Sequence, residues 1–132
     1  MPSFFKADMP TRVDRATAKA KAADANWRRV CAAVDARDGR ACRCCGKRTN
    51  ANAVGLLRGH RHHIVYRSAG GADDSRNICT LCPTCHDDEH VKRTLQVEGN
   101  ADEWLIFTRR RATDGSWHIA RLEVAPGVVD NN

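Results

Sequence analysis

The stretch HRHHIVYRSAGGADDSRNICTLCPTCHDDEH, residues 60–90, decides the fold. Its first seven residues complete an apolar-flanked run from Leu56 that reads as a strand, and NICTL reads as a second, shorter one. Between them lies the polar loop RSAGGADDSRN, where the paired Gly70-Gly71 permits a turn. Pro83 then stands where a first helical turn tolerates it, with Asp87, Asp88 and Glu89 ahead of Lys92 and Arg93. That order of charges suits the helix dipole and predicts a helix over about 83–93. Residues from about 56 to 93 therefore read as strand, loop, strand, helix.

Immediately upstream, RACRCCGKRTNANAVG holds Cys42-x-x-Cys45 in a Gly-containing turn, and Cys82-x-x-Cys85 opens the predicted helix. Four thiolates paired in this way suit a closed tetrahedral zinc site of the structural kind. Cys44 and Cys79 compete for the same roles; Cys82 with Cys85 is preferred because Cys79 belongs to the strand run. A disulfide scaffold is disfavoured by the odd total of seven Cys and by the lack of a recognisable secretory signal at the front of the chain, so an intracellular location is expected. A redox switch on the surplus Cys31, Cys44 and Cys79 is an alternative use of the thiols.

Further out, Trp27, Val30, Cys31 and Val34 recur at helical spacing and predict a helix over about 24–37, capped by Asp24 and ended by Asp38-Gly39. Residues 1–23 read as a frayed helix or a mobile basic arm and 125–132 as a disordered tail. The run EWLIFTRRRATDGSWHIARLEV predicts a C-terminal hairpin about Asp114-Gly115, with Trp104, Ile106 and Trp117 on one side. The expected architecture is one small α+β domain over 24–124, stapled by zinc.

At 132 residues there is room for a single core, and 22 Lys plus Arg against 16 Asp plus Glu leave a net charge of +6. Such a surface attracts polyanions, nucleic acid first. Arg61, Arg67, Lys92 and Arg93 lie close to the 60–90 stretch in sequence, and Arg109, Arg110 and Arg111 lie on the hairpin. Phosphate contacts are their natural use, and no recognition helix for reading bases is evident. No apolar run is long enough to span a bilayer. His86 and His90 lie four apart, on one helix face, and can chelate a single ion. His60 is read as a structural or surface residue.

The order His62-His63, Asn77, His86, with RDGRACRCCGK before it and NICTLCPTCH around it, resembles the HNH endonucleases, whose site is a ββα-metal or His-Me finger. The resemblance extends over about residues 27–93 and is to the four-cysteine phage and bacterial type. It implies a ββα finger flanked by the N-terminal helix and the C-terminal hairpin. It also implies metal-dependent nicking or cleavage of DNA by a phage or prophage product in the bacterial cytoplasm, beside phage packaging proteins.

Residue by residue, His63 corresponds to the general base and Asn77 to the residue that fixes the loop. His62 and His86 correspond to ligands of a catalytic divalent ion, with His90 as a further ligand. The chemistry requires such groups: a base for water, positive charge on the phosphate and help for the leaving oxygen. An imidazole-rich site favours Mn, Ni, Co or Zn, with Mg also admissible. The alternative is a non-catalytic, zinc-stabilised DNA-binding or regulatory module.

Overall fold

The computed structural model describes residues 11–50 and 58–124. Expectations for residues 1–10, for the strand start at 56–57 and for the tail at 125–132 lie outside the described residues. Among those described, helix and sheet are mixed, and no helix is long and apolar enough to cross a membrane.

The first helix, α1 (Arg12–Asp38), corrects the sequence expectation, because it begins far ahead of Asp24. Thr11 caps it reciprocally: the Thr11 hydroxyl accepts from the Asp14 amide at 3.1 Å, and the Asp14 carboxylate accepts from the Thr11 amide at 3.2 Å. Of the two expectations for the stretch before Asp24, a frayed helix or a mobile arm, the helix is the one observed, since the chain is helical from Arg12 onward. At the other end Gly39 takes a left-handed conformation, φ 60°, and donates to the Asp35 carbonyl at 2.9 Å.

Strands β1 (His60–His63) and β2 (Ile78–Leu81) pair antiparallel, with His62 opposite Cys79 and His63 opposite Ile78. Helix α2 (Pro83–His90) follows directly. Pro83 occupies its first turn, and the Cys82 sulfur caps it by accepting from the Cys85 amide at 3.4 Å. It ends at His90, short of the predicted Arg93.

The C-terminal region is a three-stranded antiparallel sheet in the order β3 (Leu95–Asn100), β4 (Trp104–Arg110), β5 (Trp117–Val124). The sequence expectation contained only the last two. Leu105 and Phe107 on β4 are buried and join Leu95, Leu81 and the cysteines in the core. Trp104 and Trp117 do share one side, but it is the solvent side, where they are 42% and 41% exposed. Because WLIF is apolar at every position, alternation cannot say which face turns inward; packing on the cysteine-rich core decides it.

One buried charge joins these parts. The Asp38 carboxylate at the end of α1 is fully buried and pairs with Arg37 at 2.7 Å and with Arg43 at 2.9 Å. It also accepts from the Thr80 amide of β2 at 2.9 Å. Arg43 reaches on to Glu123 of β5 at 2.6 Å and to the Ala101 carbonyl at 3.0 Å. A charge taken out of water is tolerable only when paired in this way.

Candidate functional site

The sulfurs of Cys42, Cys45, Cys82 and Cys85 all lie within 4.8 Å of one another, and those of Cys45 and Cys82 are 3.6 Å apart. Four sulfurs each about 2.3 Å from a central zinc would form a tetrahedron with edges of roughly 3.8 Å, so the donor set fits a structural metal ion. As thiols, Cys42, Cys82 and Cys85 hold their protons tightly. Cys42 is pushed up to about 12 by its hydrogen bond with Cys85 and by burial. A divalent cation reverses that preference by deprotonating the ligands outright.

Cys79 is not among the four. It is wholly buried in β2, where burial raises its pKa, while Cys31 is half-buried on α1. Cys44 is buried beside the four-sulfur cluster. Its thiol is shifted down by a hydrogen bond with Cys85 and by the nearby Arg109 charge, against burial. The surplus cysteines therefore sit in three separate settings.

A cleft of about 290 Å³ opens on the far side of β1 and α2 and is lined by His62, His63, His86, His90, Arg61 and Arg67, among others. Adjacent residues of a strand face opposite ways, so His62 and His63 share this cleft only because β1 ends at His63 and the chain turns away. Asn77 shapes that departure. Its side-chain carbonyl accepts from the Val65 amide at 2.8 Å, and its amide group donates to the carbonyls of Val65 and Ala72, each at 3.0 Å. Gly71 is required in the same loop, since a Cβ there would collide with the Val65 carbonyl.

His63 Nε2 lies 2.8 Å from the Asp73 carboxylate. Hydrogen bonds from Arg67 and His63 hold the Asp73 carboxyl below its usual range, so it stays an acceptor. The Trp27 ring of α1 stacks parallel to the His63 ring at 5.7 Å, and the Arg67 guanidinium covers Trp27 at 4.8 Å. Asp73, Trp27 and Arg67 thus enclose one imidazole.

His62 is buried, and burial depresses its pKa to about 4, so its ring is neutral and keeps a lone pair across the physiological range. Glu89 places a carboxylate oxygen 3.5 Å from His62 Nδ1, and its other oxygen accepts from the Tyr66 hydroxyl. The rings of His62 and His86 have centroids 5.9 Å apart, and those of His86 and His90 are 5.5 Å apart. Two imidazoles sharing one ion at about 2.1 Å would have centroids roughly 4.6–6.5 Å apart, so the spacing of His62 and His86, whose planes meet at 74°, is compatible with a common ion, whereas the His86 and His90 rings are stacked within 9° of parallel and their in-plane lone pairs do not meet. Among the described residues, however, the four cysteines alone form a set with ligand atoms drawn together. His60 stacks flat on His86 at 4.4 Å, on the same side of β1 as His62.

The predicted phosphate-binding residues fall in different settings. Arg67 is exposed at the cleft, whereas Arg61 is engaged with Asp35 at 2.9 Å. Lys92 stands 3.8 Å from Asp87 and Asp88, and Arg93 donates to the Tyr66 hydroxyl at 3.1 Å. Arg110 and Arg111 are exposed at the β4–β5 turn. Arg109 faces the opposite way, into the protein: it bonds Asp88 at 3.0 Å and reaches the sulfurs of Cys44 and Cys85. Asp73 and Tyr66 escaped the sequence analysis, although Asp73 stands two positions after Gly71, and Glu89 entered it only through the charge order of the helix.

Residues 42–92 match the HNH endonuclease family. A curated relative, Anaredoxin from Nostoc sp. (strain PCC 7120 / SAG 25.82 / UTEX 2576), is 43% identical over 37 residues, which are 28% of this chain and 47% of that protein. The chain thus matches about half the length of that relative. No solved structure matches at a significant level. The segment that resembles the HNH endonuclease family contains both cysteine pairs, the paired histidines, Asn77 and all of α2.

Proposed function

We propose that the chain hydrolyses DNA phosphodiester bonds with one divalent metal ion, using a ββα finger made of β1, β2 and α2 and stapled by zinc on Cys42, Cys45, Cys82 and Cys85. The observation that carries this reading is that His62, His63, His86 and His90 line one cleft beside Arg67.

His63 is the general base. Asp73 accepts from Nε2, which selects the tautomer with a free lone pair on Nδ1, and the Trp27 ring keeps the imidazole from rotating. Asn77 is the residue that fixes the loop carrying this arrangement. His62 and His86 hold the ion, with His90 beside them; when bound, the ion polarises the phosphate and stabilises the leaving 3′ oxygen. Glu89 steadies His62 from behind. Arg67, Arg110 and Arg111 meet phosphates, a contact that positions the duplex without reading sequence.

Nicking of supercoiled plasmid with added Mg, Mn or Ni tests the reading. His63→Ala should bind DNA and metal normally yet cut about 10²- to 10⁴-fold more slowly. Cutting by purified His63→Ala at the wild-type rate would refute the assignment. The spread of the His62, His86 and His90 nitrogens, set against the gathered cysteine sulfurs, favours a second reading: a zinc-stabilised DNA-binding module without catalysis. It predicts DNA affinity with no nicking under any of the three ions.

A further inference from the structure

The direction taken by Arg109 is unexpected for a cation in an arginine run. The register of β4 sets it opposite Leu95 and His118, on the face that carries Leu105 and Phe107. From there Nη1 donates to Asp88 at 3.0 Å, while Nη2 lies 3.4 Å from Cys85 Sγ and 3.5 Å from Cys44 Sγ. Asp88 and Cys85 both belong to α2, so the two arms of one planar fork are held against one helix. Cys44 is only 7% exposed, and its sulfur is outside the set of four.

Four thiolates around a divalent cation carry a net charge of −2, and a buried charge of that size needs a compensating partner. Among the described residues, Arg109 is the arginine that donates to a sulfur of this cluster, Cys85. Its Nη2 donates to the sulfurs of Cys85 and Cys44, the kind of contact by which a neighbouring residue orients a ligand and tunes the metal. Asp88 sets the direction of the fork and leaves Nη2 for the sulfurs.

We infer that Arg109 is the counter-charge and positioning residue of the four-cysteine metal centre, and that Cys44 is a fifth, non-ligating sulfur held in the same N–H···S network. The C-terminal sheet then acts as a clasp that retains the metal. This rests on the reading of the four cysteines as a zinc site and not on the cleavage reading.

The test uses the full chain loaded with zinc, and a parallel preparation loaded with Co(II). Zinc transfer to a chromophoric chelator gives the release rate, and the sulfur-to-cobalt charge-transfer band reports the thiolates themselves. Arg109→Gln should release zinc about 10- to 100-fold faster and shift the band, with Arg109→Lys in between because it keeps the charge and loses the fork. Arg110→Gln, on the exposed face of the same strand, should do neither. Cys44→Ser should keep the full band intensity, since four sulfurs still bind.

Wild-type release and an unmoved band in Arg109→Gln would overturn the inference. Should that variant not fold, the same result in folded Arg109→Lys would overturn it equally. Loss of about a quarter of the band intensity in Cys44→Ser would make Cys44 a ligand and also overturn it. A wild-type chain that binds no zinc would instead remove the underlying site, an outcome that metal content measured beforehand tells apart.

Discussion

Replacing Asn77 by Ala deletes three hydrogen bonds that hold the loop after His63, and the loss can be worked out from their geometry. One backbone donor, at Val65, and two backbone acceptors, at Val65 and Ala72, lose their partner, from distances of 2.8, 3.0 and 3.0 Å. The loop is partly wet, so each bond is taken at the lower end of its usual worth, about 0.5–1 kcal/mol, or roughly 1.5–3 kcal/mol together. The cost falls on local opening of residues 65–72 more than on global unfolding, because β1 and β2 keep their own ladder. Amide exchange at Val65 should accelerate by roughly ten- to a hundredfold. If the loop aims the base, nicking should fall by a similar factor, since about 1.4 kcal/mol is a factor of ten in rate. Asn77→Asp keeps the acceptor for the Val65 amide but sets negative charge against two carbonyls, so it should protect the loop no better than Ala. Unchanged exchange at Val65 in both variants would refute the claim that Asn77 organises the loop.

Two further outcomes follow from buried groups. Asp38→Ala removes the buried acceptor shared by Arg37, Arg43 and the Thr80 amide, leaving the buried Arg43 with Glu123 as its remaining carboxylate, and should lower unfolding stability in urea by about 3–5 kcal/mol; a loss below 1 kcal/mol would show that the pairing barely outweighs its desolvation. His62 has its pKa depressed by burial to about 4, below its unfolded value, so the folded state takes up fewer protons than the unfolded state between pH 4 and about 6.5. Its contribution is full above about pH 6.5 and declines by up to about 3 kcal/mol as the pH falls towards 4. The difference between wild type and His62→Gln in chemical unfolding across that range should show this slope, and parallel curves would contradict it.

How much of this was legible in the sequence depends on how local each signal is. The four cysteines were, because C-x-x-C spacing is itself the geometry of a metal knuckle and needs little tertiary information. The start of α1 is less legible: TAKAKAADA has no apolar face, which leaves a frayed helix and a mobile arm both open, and it is held helical by Ala and Lys propensity and by the Thr11–Asp14 cap. Strand β3 was missed because LQVEGN alternates weakly and contains Gly99, which takes φ 126°; it becomes a strand by pairing with β4. The exposed face of the terminal sheet was misjudged because apolarity on both faces of β4 leaves the choice to the core beneath.

The histidine cleft shows where sequence spacing stops being informative. His86 and His90 share a helix face by period alone, and His62-His63 were legible as a pair, but the partners of His63 come from remote segments. Trp27 arrives from α1, 36 positions upstream, and Asp73 from a loop that Asn77 ties down. Trp27 reads as part of a helical core stripe, since a stacked, half-exposed tryptophan has the same periodicity as a buried one. Asp73 is one acidic residue in a polar loop, indistinguishable by composition from Asp74, which caps the turn at Ser75–Asn77. Only the closure of the loop onto β1 assigns the two neighbours different tasks. The residues proposed to aim the base are therefore set by tertiary packing, and Trp27 lies outside the segment that carries the family match. The N-terminal helix is thus part of the proposed site and not merely an attachment to it.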